Sequence, residues 1–150
     1  MKQTLLTAFA MLLVLFTQCK KDEDNTPANT KTKSKTELLT NNSYKDWVLT
    51  STLLNGNQVL QVCETDNTYS FYSDGRFVLN FGLNKCSSSE TKNENRTWLF
   101  IENETKMRWI TPKDSFDLSI DSLTIDKLKV TQNTTYMGNP LQFILTFKAK

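Results

Sequence analysis

Cys63-Glu-Thr-Asp-Asn-Thr-Tyr-Ser-Phe-Tyr-Ser-Asp-Gly-Arg-Phe-Val-Leu-Asn-Phe-Gly-Leu-Asn-Lys-Cys86 is the stretch whose reading decides the fold. Asp74-Gly75 is a strong turn signal between two runs rich in aromatic and β-branched residues. A two-residue loop would set Phe71 opposite Val78 and place Phe77, Leu79 and Phe81 on a face shared with Ser70 and Thr68. A three-residue loop, Ser73-Asp74-Gly75 with Gly75 left-handed, sets Phe71 opposite Phe77 and Tyr69 opposite Leu79, giving one apolar face. The pattern favours the three-residue loop, with Ser70, Tyr72, Val78 and Asn80 pointing outward. In that register Cys63 and Cys86 fall within one residue of facing each other, just past the hairpin's open end. A disulfide is within reach if the connecting backbone bends slightly.

Outward from the hairpin, length and composition set bounds. The chain has 150 residues, enough for one domain with a real core but little area to spare. Lys and Arg outnumber Asp and Glu by 18 to 16, so there is no electrostatic case for nucleic acid. No histidine is present, which removes the commonest general base, metal ligand and pH switch.

The N-terminus starts with Met1-Lys2 and continues as an uncharged apolar run from Leu5 to Phe16, the length of a secretory signal core and too short to span a bilayer. Cys19 follows it, then Lys20-Lys21-Asp22-Glu23-Asp24. A cysteine just after such a run resembles the lipid-attachment site of bacterial lipoproteins. That resemblance implies cleavage after residue 18 and acylation of Cys19; the alternative is an ordinary signal with an incidental cysteine. The charged run resembles the export signal of surface-exposed Bacteroidetes lipoproteins, and equally reads as a solvated linker. Residues 20–36 are polar, with Pro27 and alternating Thr and Lys, and cannot bury apolar surface. They read as a disordered tether with a reach of roughly 20–25 Å.

From Glu37 onward a short helical turn is expected, ended by Asn41-Asn42. About eight short strands follow, near residues 45–54, 67–73, 76–82, 96–102, 106–111, 115–122, 127–131 and 141–147. Asn55-Gly56, Asn103-Glu104, Pro112-Lys113-Asp114 and Gly138-Asn139-Pro140 serve as turns, and Leu83 to Asn95 as a loop. Each strand has one apolar and one wet face, and the connections are short. The expected fold is therefore all-β, an antiparallel up-and-down barrel, with a two-sheet sandwich as the alternative.

The order of short motifs from Leu38 to Phe147 resembles the small lipocalin-like domains of Bacteroidetes lipoproteins. These are Leu38-Leu39-Thr40 before Trp47, Asn55-Gly56, Cys63, Tyr69 to Phe77, Cys86, Trp98, and the closing strand from Leu141. The resemblance implies a barrel at residues 37–150 and an outer-membrane, lipid-anchored location, and implies no settled activity.

If Cys19 carries lipid, Cys63 and Cys86 are left to pair in an oxidising compartment; two buried free thiols are the alternative. Two thiols without histidine make a poor metal set, and no metal or cofactor is expected. Asp114, Asp117, Asp121 and Asp126 lack calcium-loop spacing and read as solvated acids. No nucleophile elbow, phosphate loop or Cys/His pair appears, so an enzyme is not expected.

Trp47, Tyr69, Phe71, Trp98 and Trp109 are the candidate ligand-lining residues, although on size the better reading of aromatics in so short-stranded a barrel is that they fill it. Any pocket is expected to be a shallow mouth. Two functions follow: a membrane-anchored barrel that binds a small apolar ligand or a partner at its mouth, or a filled barrel that contacts another envelope protein.

Overall fold

The computed structural model describes residues 32–150. The signal, Cys19 and the tether up to residue 31 lie outside the described residues. The described part holds one helix, α1 (Lys35–Thr40), and nine strands: β1 (Tyr44–Leu54), β2 (Asn57–Gln58), β3 (Thr68–Tyr72), β4 (Arg76–Asn80), β5 (Asn93–Ile101), β6 (Lys106–Ile110), β7 (Ser115–Leu123), β8 (Lys127–Tyr136) and β9 (Asn139–Ala149).

Every strand pairing is antiparallel. The ladder runs β1-β3-β4-β5-β6-β7-β8-β9, and β9 pairs back onto β1. The result is a closed eight-stranded barrel with β2 as an extra two-residue strand on the far end of β1, and no sandwich.

The β3–β4 hairpin has the register read from its sequence. Phe71 faces Phe77 and Tyr69 faces Leu79. Gly75 has φ +89°, its N–H donates to the Tyr72 carbonyl at 3.1 Å, and its own carbonyl accepts from Trp98 N–H at 2.8 Å. A Cβ at that φ is costly, which is why glycine ends the loop. Phe71 and Phe77 are fully buried and stacked at 4.5 Å. Trp109 packs on Phe77 at 5.0 Å, and Tyr69 meets Phe147 edge-on at 5.1 Å.

One end of the barrel is plugged by α1. Ser34 caps the helix by accepting from Glu37 N–H, and Asn41, in the left-handed region at φ 52°, ends it. Leu39 is fully buried, and its carbonyl accepts from the Trp47 indole N–H at 3.0 Å. Lys45 ties the same end by donating from Nζ to the Leu38 and Ile125 carbonyls, and burial holds its pKa below the usual lysine value.

Several expectations need correction. The helix begins at Lys35, so the last two residues assigned to the tether are helical. Strands β1, β8 and β9 have 11, 10 and 11 residues, longer than the sequence suggested. The run Gln132–Tyr136 is strand, although it is too polar to signal one, because β9 pairs with it along its whole length. The turn is Met137-Gly138, with φ of 50° and 80°, as a two-residue hairpin requires; Pro140 is already in the strand, opposite Thr135. β5 begins at Asn93, shortening the expected loop. Ser70 points outward but is only 5% exposed, because it donates to Asp46 Oδ1 at 2.6 Å and accepts from Asn80 Nδ2.

Candidate functional site

The end of the barrel opposite α1 is open, and two segments frame it: a 3-10 turn at Val62–Glu64 and the loop that follows β4. Cys63 and Cys86 join them by a disulfide with a Cα–Cα distance of 5.2 Å. Side chains latch the two segments independently. Asp66 Oδ2 accepts from Leu83 N–H, Asn84 N–H and Asn84 Nδ2, and Asn67 Oδ1 accepts from Gly82 N–H. Glu64 Oε2 accepts from Gln61 N–H at 2.9 Å, and Glu90 Oε2 accepts from Cys86 N–H at 3.0 Å.

Beneath this frame lies a cavity of about 290 Å³. Its apolar walls are Tyr69, Leu79, Phe81, Trp109, Leu145 and Phe147, contributed by β3, β4, β6 and β9 and the residue after β4. Its polar rim is Gln61, Glu64, Asn67, Glu90 and Arg96. Arg96 donates to both oxygens of Glu94, at 3.0 and 2.9 Å, and its guanidinium stands 5.6 Å from the Phe77 ring centroid. That fork of hydrogen bonds holds the Glu94 carboxyl below its ordinary pKa.

Tyr69 links wall and rim. It is 8% exposed, and its hydroxyl makes no hydrogen bond among the described residues. The phenol is pushed up to about 12, chiefly by burial and then by the Glu64 carboxylate, with Arg96 opposing.

Of the five aromatics expected to line a pocket, two do so, Tyr69 and Trp109. Trp47 and Phe71 are fully buried, Trp47 beside the helix plug and Phe71 in the aromatic stack. The indole N–H of Trp98 is bound to the Tyr72 carbonyl at 3.0 Å. Trp47 faces Tyr69 and Trp98 faces Trp109 directly across neighbouring strands, so neither alternation nor register tells a lining ring from a packed one. Glu94 and Arg96 were missed, yet the signal was present: counting back by twos from buried Trp98 puts both on the inner face of β5.

A larger depression of about 370 Å³ lies on the outer wall, lined by Arg76, Val78, Thr97, Ile110 and Pro112 among others. It lies mainly between outward side chains, whereas the mouth is walled by buried aromatic rings, so the mouth is the better candidate. Asp117 is held by Arg108 at 2.6 and 2.8 Å, and Asp121 accepts from Thr131. Among the described residues no group of three acidic or cysteine side chains could hold a metal ion.

No protein-family model and no curated protein matches the chain.

Proposed function

We propose that the chain is an envelope lipoprotein, anchored to the outer membrane through lipid on Cys19, whose barrel binds a small, largely apolar ligand at its mouth. The observation that carries this reading is the cavity left at one end of an otherwise filled barrel, walled by Tyr69, Trp109 and Phe147, with the Tyr69 hydroxyl lacking a partner among the described residues. A volume near 290 Å³ is at the lower end of the range for small-molecule sites, so the ligand is small or inserts only one end. The packed aromatic stack behind it leaves no room for a deep calyx. The residues at the mouth bind and orient; none is arranged as a nucleophile beside a base, so the reading is of a binding protein and not an enzyme.

Native mass spectrometry of the full-length chain, after incubation with an envelope lipid extract, tests the binding. The expected result is a discrete adduct that Trp109→Ala weakens; an adduct-free chain contradicts it. Labelling with a tagged fatty acid tests the anchor, and equal labelling of wild type and Cys19→Ala rules it out.

A second reading has its own support. Val62, Leu83 and Met137 are 80%, 98% and 82% exposed, in segments at the open end. Exposed apolar side chains around a mouth suit contact with another envelope protein.

A further inference from the structure

The mouth has a charge character as well as an apolar one. Three charged side chains line it: Glu64, Glu90 and Arg96. Arg96 is already engaged by both oxygens of Glu94. Lys85 donates from Nζ to the Glu90 carbonyl, but its side chain is on the exposed loop and does not line the cavity. Glu64 and Glu90 each accept one backbone N–H, from Gln61 and Cys86. A carboxylate offers about four lone-pair sites, so both retain acceptor capacity toward the cavity.

Independently of these acids, Tyr69, more than nine-tenths buried as a residue, lines the same cavity, and its hydroxyl has no hydrogen-bond partner among the described residues. Solvent still reaches that hydroxyl through the cavity, so it is open to a hydrogen bond from a ligand. The rings of Trp109, Phe147 and Tyr69 line the same cavity, and an aromatic ring that presents its face to a cation attracts it.

We propose that the mouth is a site for a small organic ammonium ion with a short apolar chain. Its N–H groups donate to the Tyr69 hydroxyl and the Glu64 and Glu90 carboxylates, and its chain lies against Trp109 and Phe147. This rests on the reading of the mouth as a ligand site and names the class of ligand. An anion would meet two carboxylates and, among the described residues lining the mouth, one cation that two hydrogen bonds already tie to Glu94. A neutral hydrocarbon would strip water from both carboxylates and the phenol and return nothing. The field at Tyr69 agrees in sign, because the Glu64 carboxylate outweighs Arg96 there.

The test is a titration of the full-length chain, by calorimetry, with n-butylammonium and with the similarly sized butyrate and 1-butanol. Saturable binding of n-butylammonium is expected, at least about tenfold tighter than either comparison. Glu64→Gln keeps the acceptor for Gln61 N–H while removing the charge, and should weaken binding about tenfold. Tyr69→Phe keeps the ring and removes the acceptor, and should weaken it about fivefold. Affinity for n-butylammonium that neither substitution changes would overturn the proposal, and so would its failure to bind. Equal or tighter binding of butyrate or butanol overturns the ammonium assignment while leaving the mouth a ligand site, a distinction the mass measurement on the lipid extract makes independently.

Discussion

The carboxylate of Asp66 occupies the space into which a Cβ on Gly82 would project. The close approach lets Asp66 Oδ2 reach two backbone N–H groups beyond the glycine, while Oδ1 is buried against it without a partner. Gly82 is therefore required by space, not by φ. Gly82→Ala should cost about 1–3 kcal/mol in urea unfolding, as overpacking does. The same substitution in an Asp66→Ala background should cost measurably less.

The hairpin register sets a second comparison. Phe77 is fully buried and Val78, its neighbour, lies on the outer face. Phe77→Ala should destabilise by about 3–5 kcal/mol. Val78→Ala should cost well under half as much. Gly75→Val should also be harmful, since its φ is +89° and a Cβ there would lie 3.3 Å from the Trp98 carbonyl oxygen.

Reducing the Cys63–Cys86 disulfide should lower stability without opening the barrel. The bond closes a loop with a sequence separation of 23, worth roughly 3 kcal/mol by the chain-entropy estimate. The Asp66 and Asn67 hydrogen bonds persist without it. Cys63→Ala should thus shift the unfolding midpoint down while the far-ultraviolet circular dichroism stays that of the wild type.

Tyr69 gives a pH signature. Its phenol is pushed up to about 12 from the ordinary 10.0 by burial, with Glu64 adding to the shift. A folded-state pKa above the unfolded one means the stabilisation is complete below about pH 10 and lost as pH rises toward about pH 12. Absorbance titration of phenolate should show a late-ionising component, and Tyr69→Phe should remove it.

Much of the fold was legible because local and global signals agree. Asp74-Gly75, the alternation from Tyr69 to Leu79 and the two cysteines all point to one register and one disulfide. Where a strand has no core to face, the signal disappears. Beyond Thr131, β8 pairs only with β9, and Gln132 to Tyr136 carries no apolar alternation to reveal it. Ser70 shows the converse, an outward polar residue sealed by its neighbours Asp46 and Asn80. The site was half legible. Aromatics announce an interior, but alternation does not tell that Trp109 reaches the mouth while Trp98, facing it across the ladder, is held at the Tyr72 carbonyl.

The three indole N–H groups allow the most direct test of a filled barrel that takes its ligand at one end. Trp47 is bound at the helix plug, Trp98 at the Tyr72 carbonyl, and Trp109, bound to Met107 Sδ at 2.7 Å, lines the mouth. Their proton–nitrogen resonances in the ¹⁵N-labelled chain should be followed during titration with the envelope lipid extract. The expected result is a saturable shift of the Trp109 indole with Trp47 and Trp98 unmoved. A shift of the Trp47 indole, or no shift at Trp109 when an adduct forms, would contradict binding at the mouth.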